Sequence, residues 1–256
     1  MLEAMSQAPW RVAVTHDDID GSVPAALEAA GFITVSCPVK IEGPAADQPR
    51  LEALARSLDS YDWVICSSVR GVRALSKARG TPWPMQTRAA AVGAVTAQAM
   101  IAAGARQPIY ADTFNVNALW EKLQRLASWH CRKVLVATVA GGRRELVDGM
   151  IAAGASVTEV EAYTMSPRSA DDIRKDWADA RPDAVIVGSS ATAKHLIDAI
   201  GVEPMRKLQA IVPIGPATAS TLRDRGIDAE PPPQATFAAA VAYLADRARA
   251  KVGHTK

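Results

Sequence analysis

The chain contains an internal repeat, and this feature constrains its fold more than any other. Three pairs of segments resemble each other: 62–75 and 183–196, 91–100 and 213–222, and 11–15 and 133–137. The first pair reads DWVICSSVRGVRAL and DAVIVGSSATAKHL. The partners in every pair are about 120 residues apart, so a single register relates all three. The repeat therefore predicts two domains of similar fold in this chain of 256 residues.

Short β-branched runs alternate with helical patterns in both copies, which is typical of βαβ units with a parallel sheet. Strands are predicted near 10–15, 33–37, 62–66, 89–93 and 108–110, and near 133–138, 157–162, 183–187, 210–214 and 227–230. Helices are predicted from Ser22 to Gly31, over 115–128 and from Thr236 onward, with others ending at Gly154, Gly201 and Gly226. The predicted fold class is α/β with two parallel-sheet domains.

Composition excludes several classes of protein. The chain is 49% hydrophobic and 22% charged, which is typical of a folded globular protein, and its formal net charge of +2 provides no general field for nucleic acid or membrane. Cys37, Cys66 and Cys131 are widely separated, which favours reduced thiols over a disulfide framework or a zinc site. No stretch has the pattern of an export signal or a bilayer span, so we expect a cytoplasmic protein.

Hydroxyls and glycines follow the predicted strands at the point where ligands bind in open parallel sheets. Ser67-Ser68 and Ser189-Ser190 follow the third strand of each copy, and Gly93 to Thr96 and Gly215 to Thr218 follow the fourth. A helix that begins at such a corner presents backbone N–H groups, and Ser or Thr adds a hydroxyl donor. These corners are candidate sites for carboxylate or phosphate. The alternative is that each is an ordinary helix N-cap.

Arginines near these corners are candidate partners for an acidic ligand. The turn Gly141-Gly142-Arg143-Arg144 combines glycines that allow close backbone approach with guanidinium donors. Arg70, Arg73 and Lys194 follow the serine corners; solvated surface cations are the alternative for all of these residues. The chain has neither a GxGxxG nor a GxxxxGK[ST] motif, so a nucleotide is not expected.

Few side chains are arranged for acid–base or nucleophilic chemistry. The four histidines lack metal-ligand spacing, and no GxSxG elbow is present. Asp17 and Asp18 follow the first strand, as in phospho-receiver domains, but Ser67 stands where those domains carry the phospho-accepting aspartate. Tyr163, one of only four tyrosines, lies at the junction of the copies. A tyrosine at such a junction is of interest, but from the sequence alone we interpret it as a packing residue.

Several segments, taken in order, resemble the uroporphyrinogen-III synthase family of tetrapyrrole biosynthesis. The matching segments are WVICSSVRGVRAL at 63–75, AVGAVTA at 91–97, GGRREL at 141–146, VEAY at 160–163 and IGPATA at 214–219. Each motif is a short strand–helix corner with little specificity of its own. Their shared order and spacing over most of the chain carry the resemblance.

The resemblance implies two flavodoxin-like domains joined by a two-stranded linker. It places residues 1–37 and 169–256 in one domain and 43–161 in the other, with linker strands at 38–42 and 162–168 that allow the domains to rotate. It also implies a monomeric lyase that closes hydroxymethylbilane, a linear tetrapyrrole with eight carboxylates bound between the domains. Water is lost, the last pyrrole ring is inverted, and no cofactor or metal is required.

The resemblance also implies roles for particular residues. Tyr163 would assist departure of the hydroxyl. Ser68, Thr96, Ser190 and Thr218 would bind and orient the carboxylates. Together with the other corner and arginine candidates, the predicted substrate-binding residues are Ser67, Ser68, Arg70, Gly93, Thr96, Gly142, Arg143, Ser189, Ser190, Gly215 and Thr218.

Three segments depart from the family pattern. His16-Asp17 stand where the family often has Arg-Pro, Arg70 stands where it has Asn, and Ala137 to Ala140 lack its usual arginine and glycine. Two alternatives therefore stay open: a diverged paralogue for another acidic ligand, and a non-catalytic cytosolic two-lobed protein that binds an acidic ligand.

Overall fold

The computed structural model describes residues 8–16, 21–111, 116–142 and 144–253, with side chains to residue 250. Asp17, Asp18 and Arg143, which the sequence analysis singled out, lie outside these ranges. The chain divides into two compact units, one formed by residues 1–41 and 166–256 and the other by 42–165. We call them the terminal unit and the central unit.

The structure contains strands and helices in alternation along most of the chain. The strands are β1 (Arg11–Val14), β2 (Ile33–Ser36), β3 (Lys40–Gly43), β4 (Trp63–Cys66), β5 (Arg88–Ala91), β6 (Ile109–Tyr110), β7 (Lys133–Val139), β8 (Ser156–Pro167), β9 (Ala184–Val187) and β10 (Ala210–Pro213). The helices are α1 (Ser22–Ala29), α2 (Gln48–Arg56), α3 (Val69–Arg79), α4 (Ala94–Ala102), α5 (Val116–Leu126), α6 (Glu145–Ala152), α7 (Ala170–Ala180), α8 (Ser190–Ile200), α9 (Val202–Arg206), α10 (Pro216–Arg223) and α11 (Phe237–Gly253). A 3₁₀ turn, Leu58–Ser60, precedes β4.

The strands form two sheets, with the orders β10-β9-β1-β2 and β3-β8-β7-β4-β5-β6. In the first sheet, β1 pairs in parallel with β2 and β9, and β9 with β10. In the second, β7 pairs in parallel with β8 and β4, β4 with β5, and β5 with β6. The α/β class with parallel sheets is therefore confirmed. The strands that match in sequence also occupy the same relative places, since β5-β4-β7-β8 corresponds to β10-β9-β1-β2.

A fully buried strand lies inside each sheet. All four residues of β4 and all four of β9 are buried, and each sheet has an apolar cluster on both of its faces. Parallel sheets covered on both faces are built from near-continuous apolar strands, which explains the short apolar runs in the sequence. Polar groups are consequently confined to the ends of these strands.

An aspartate precedes each buried strand and fixes the start of a neighbouring strand. In the central unit, the backbone N–H of Lys133 donates to Asp62 Oδ2 at 2.8 Å, and Arg132 Nη1 lies 3.2 Å from Asp62 Oδ1. In the terminal unit, the backbone N–H of Arg11 donates to Asp183 Oδ2 at 2.8 Å. The repeated aspartate thus sets the same strand register in both units.

Some predicted boundaries were wrong. Residues 227–230 form no strand, because the N–H of Ile227 donates to Leu222 O at the end of α10 instead of joining a ladder, and Pro231 follows directly. The strand predicted at 157–162 extends over 156–167, and the strand predicted at 89–93 ends at Ala91.

We predict that Asp62→Ala lowers the free energy of unfolding by about 1 kcal/mol at pH 7, the typical contribution of one hydrogen bond. The Lys133 N–H, assisted by Arg132, holds the pKa of the Asp62 carboxyl below its usual value. A lowered folded-state pKa contributes stability above the unfolded pKa of about 4, and that stability is lost as pH falls through the folded pKa. Urea unfolding at several pH values should therefore show the variant and wild type converging toward pH 3.

The control for this experiment is Asp59→Ala, which removes an exposed carboxylate from the preceding 3₁₀ turn. A difference between Asp62→Ala and wild type that stays constant from pH 7 to pH 3 would contradict the prediction.

Candidate functional site

The side chains of Ser68 and Tyr163 meet at the carboxyl end of β4. Ser68 is the N-cap of α3 and has extended backbone, and its Oγ accepts a hydrogen bond from the N–H of Gly71 at 3.3 Å. The same Oγ lies 2.9 Å from the phenolic oxygen of Tyr163. The two residues are 95 positions apart in the chain, so the fold alone creates this contact.

A β-bulge in β8 places Tyr163 at this position. Thr138 of β7 pairs with Glu161, but Val139 pairs with Tyr163, so Ala162 is an extra residue in β8. Ala162 and Tyr163 are both buried, which breaks the inward–outward alternation of the strand. A bulge redirects the following side chain. Here it turns the Tyr163 ring into the apolar cluster under α3, with 6% of the residue exposed.

Arg70 ties the first turn of α3 to β3. Its Nε donates to Glu42 Oε2 at 2.8 Å, and its side chain is only 18% exposed. Arg70 was predicted as a substrate-binding residue, but Glu42 was not singled out. The two residues are 28 positions apart, and no spacing pattern in the sequence links them.

Glycines begin the helices at the second pair of predicted corners. Gly93 is the N-cap of α4 and Gly215 is the N-cap of α10. Glycine has no side-chain oxygen, so neither N-cap offers a side-chain acceptor to the first N–H groups of its own helix. Thr96 and Thr218 are buried in the first turns of these helices. The corner at α4 is therefore better suited to bind an anion through backbone N–H groups than through the threonine hydroxyl. At α10 fewer donors remain, because Pro216 has no N–H and the N–H of Thr218 donates to Gly215 O at 3.1 Å.

The serine corner of the terminal unit is internally bonded. Ser189 is the N-cap of α8, and its Oγ accepts from the N–H of Thr192 at 3.1 Å and lies 2.8 Å from Thr192 Oγ1. Ser190 Oγ donates to the carbonyl oxygen of Ala217 at 2.9 Å, which connects this corner to the glycine corner at α10. The predicted residues of the terminal unit therefore lie together at the carboxyl ends of β9 and β10.

The glycine turn after β7 is tight, with its backbone groups close to one another. The N–H of Gly142 donates to Val139 O at 3.0 Å, and a Cβ at Gly142 would lie 3.0 Å from the same oxygen. Gly141 has a left-handed φ of 66°, and its N–H donates to Glu161 Oε1 at 3.1 Å. Arg144 pairs with Glu159. The carboxylates of Glu161 and Glu159 therefore already accept hydrogen bonds from the Gly141 N–H and the Arg144 guanidinium of this turn.

The remaining candidate cationic and histidine side chains lie on helix surfaces or in packing contacts. Arg73 and Lys194 are exposed on α3 and α8, and His195 Nδ1 lies 2.9 Å from the carbonyl oxygen of Ala191 one turn earlier. The His16 ring stacks on Phe237 with their centroids 4.3 Å apart.

The buried cysteines are poor nucleophiles. Cys66 directly precedes Ser67 at the end of β4, and burial raises the pKa of its thiol. Burial, together with Asp176, raises the pKa of Cys37 to about 12. Both thiols are protonated at neutral pH, and only a thiolate is reactive. The hydroxyl pair of Ser68 and Tyr163 is the stronger candidate for proton chemistry.

The described ranges contain neither a metal-binding cluster nor a membrane-spanning helix. Within them, no group of three or more His, Cys, Asp or Glu side chains could hold a metal ion. No helix in the same part of the chain has both the length and the apolar character needed to cross a membrane.

Comparison with known proteins identifies the family. A family model described as uroporphyrinogen-III synthase HemD matches residues 22–242. The chain belongs to the uroporphyrinogen-III synthase family. It is 26% identical over 212 residues to the uroporphyrinogen-III synthase of Synechococcus elongatus, an alignment that covers 78% of this chain and 80% of the relative.

Solved structures of uroporphyrinogen III synthases share the fold. The Helicobacter pylori structure aligns with 93% of this chain and 99% of its own, with a TM-score of 0.60 and 14% identity. A mutant Thermus thermophilus structure aligns with 94% of this chain and 99% of its own, with a TM-score of 0.56 and 17% identity. The family, the enzyme class and the cyclisation activity predicted from the sequence are confirmed, and the non-catalytic alternative is not favoured.

Proposed function

We propose that this chain closes hydroxymethylbilane to uroporphyrinogen III with Tyr163 as the proton donor to the departing hydroxyl. The observation that supports this role is the contact between the Tyr163 phenol and Ser68 at the carboxyl end of β4. Ligands bind at that end of open parallel sheets. The hydroxyl of a phenol can donate a hydrogen bond.

The proposed proton transfer balances over the whole reaction. The C–O bond of the hydroxymethyl group breaks with its electron pair on oxygen, and the phenol proton converts that oxygen to water. The carbocation is stabilised by the adjacent pyrrole nitrogen and bonds to the substituted carbon of the last ring. The existing bond from that carbon to the neighbouring bridge then breaks, and the freed bridge carbon bonds to the unsubstituted carbon on the other side of the ring, which inverts the ring. The unsubstituted carbon loses its proton, and this proton returns to the phenolate. No oxidant or reductant is consumed.

Holding a flexible chain in one folded pose is mainly a task of proximity and orientation. With a formal net charge of only +2, the protein must bind the substrate carboxylates through local donors. We assign this binding to the corner residues Ser67, Arg70, Gly93, Thr96, Gly142, Arg143, Ser189, Ser190, Gly215 and Thr218. The glycine corners would contribute through backbone N–H groups, since their helix termini attract negative charge.

We also propose that the two units are copies of one flavodoxin-like domain, with residues 1–37 and 169–256 in one copy and 43–161 in the other. The matching strand order of the two sheets and the paired aspartates Asp62 and Asp183 support this proposal. Segments 38–42 and 162–168 would be the linker strands; they overlap β3 and β8, which are neighbours in one sheet.

We predict that the purified protein converts freshly made hydroxymethylbilane to the type III isomer without added metal or nucleotide. Products are oxidised and separated by chromatography, and a reaction without protein measures spontaneous closure to the type I isomer. Formation of type I alone, at the spontaneous rate, would contradict the proposed activity.

We predict that Tyr163→Phe lowers kcat by about 100-fold, the lower end of the range typical of general-acid assistance. Phenylalanine keeps the ring in the apolar cluster and removes only the hydroxyl. The free energy of unfolding, measured by urea titration, should therefore fall by at most about 1–2 kcal/mol. Tyr243→Phe is the control for loss of a phenol, because Tyr243 is half-buried in α11 and its hydroxyl lies 3.4 Å from Glu230 Oε2. Wild-type turnover in Tyr163→Phe would remove Tyr163 from the mechanism.

We predict that Arg70→Gln raises KM and that Glu42→Gln lowers it. A substrate carboxylate must compete with Glu42 for the guanidinium, and a partly exposed ion pair contributes about 0.2–1 kcal/mol, so Glu42→Gln should lower KM by roughly 1.5- to 5-fold. Added salt should reduce this difference. A higher KM in Glu42→Gln would instead show that Glu42 holds Arg70 in its binding position.

A further inference from the structure

We propose that Ser68 is a positioning residue that orients the Tyr163 hydroxyl so that its proton points at the substrate. This inference rests on the proposed role of Tyr163 and adds a residue that acts through it. The Ser68 Oγ is 2.9 Å from the phenolic oxygen, and either atom could be the donor at that distance. The surroundings of Ser68 determine which one donates.

The N–H of Gly71 donates to Ser68 Oγ at 3.3 Å. A serine hydroxyl has one proton and two acceptor sites, so this bond leaves its proton free to donate. If Ser68 donates to the phenolic oxygen, the Tyr163 proton is free for the departing hydroxyl. If Tyr163 donates to Ser68 instead, its proton is already in use.

The N-terminus of α3 favours the first arrangement. Ser68 caps this helix of 11 residues, and the positive end of the helix dipole stabilises negative charge close to it. The phenolic oxygen gains negative charge as its proton leaves. A hydrogen bond from Ser68 and the nearby helix terminus both become stronger as that charge develops, and hydrogen bonds to charged groups are stronger than neutral ones.

The terminal unit shows what Ser68 would do without a tyrosine. Its counterpart Ser189 is also an N-cap, but its Oγ lies 2.8 Å from the hydroxyl of Thr192. In the repeat register, Thr192 corresponds to Gly71. Glycine at position 71 therefore removes the neighbouring hydroxyl that would compete for Ser68.

The first experiment is a double-mutant cycle on kcat with Ser68→Ala, Tyr163→Phe and the double variant. Ser68→Ala should lower kcat roughly 10-fold, with KM nearly unchanged, because the lost bond forms to a group that becomes charged. In the Tyr163→Phe background, Ser68→Ala should cause no further loss, since Ser68 acts through the phenol. Ser68→Thr, which retains a hydroxyl, should restore most of the turnover.

Ser169→Ala is the control for the loss of a helix N-cap. Ser169 is the N-cap of α7, where its Oγ accepts from the N–H of Asp172 at 3.1 Å, and it has no role in the proposed site. Ser169→Ala should lower the urea midpoint as Ser68→Ala does and should leave kcat unchanged. An equal loss of kcat in both variants would mean that capping alone explains the effect, and it would overturn the inference.

A second pair of variants tests the same inference without changing either hydroxyl. Gly71→Ser introduces a hydroxyl that can engage Ser68 as Thr192 engages Ser189, whereas Gly71→Ala adds only the Cβ. The nearest atom to a Cβ at Gly71 would be Ala137 O at 3.4 Å, an ordinary contact distance. Gly71→Ser should have a several-fold lower kcat than Gly71→Ala, and equal values would overturn the inference.

The outcomes separate this inference from the proposed function. Wild-type turnover in Tyr163→Phe would overturn the role of Tyr163, and the role of Ser68 with it. Impaired turnover in Tyr163→Phe combined with a full additional loss in the double variant would overturn the role of Ser68 alone. A raised KM with unchanged kcat in Ser68→Ala would show that Ser68 binds substrate directly, which also overturns the positioning role.

Discussion

The register between β7 and β8 is the constraint on which the candidate site depends. As far as Thr138, the two strands pair residue for residue. The extra residue Ala162 then moves Tyr163 onto the side of the sheet that faces α3. Without the bulge, the pleat would direct a side chain at this position to the opposite face. The contact with Ser68 would be lost even if both residues were kept.

The two units share several features, and the contact between Ser68 and Tyr163 departs from them. Asp62 and Asp183 each bond the first N–H of a neighbouring strand, and Gly93 and Gly215 begin corresponding helices. In the proposed function, such helix termini bind the substrate carboxylates in both units. Among the described residues of the terminal unit, Ser189 contacts Thr192 where Ser68 of the central unit contacts Tyr163. The proposal thus assigns carboxylate binding to both units and proton transfer to the central unit.

The sequence predicted the buried strands and the residues that follow them, because apolar runs and hydroxyl or glycine corners are local patterns. Tyr163 was predicted as a candidate, but its contact with Ser68 was not. That contact depends on a β-bulge, which cannot be recognised from the alternation of apolar and polar residues in a strand. It also predicted a strand at 227–230 from alternating apolar residues. Ile227 and Ala229 are indeed buried, yet the segment makes no ladder because burial alone does not supply a hydrogen-bonding neighbour. The ion pair of Arg70 with Glu42 was not predicted, because a contact between residues distant in the chain produces no periodic pattern in the sequence.

A site with few ionisable groups suits a reaction that proceeds spontaneously to the wrong isomer. The enzyme must lower one barrier and, more importantly, hold the last ring so that its substituted carbon is the one attacked. Proton donation affects the rate at which the cation forms, whereas the placement of the carboxylates decides which carbon it meets. Under the roles proposed above, we expect changes at Tyr163 and Ser68 to lower kcat with the isomer ratio largely kept. We expect changes at the glycine corners to alter that ratio, because a misplaced chain still forms the cation but closes without inversion.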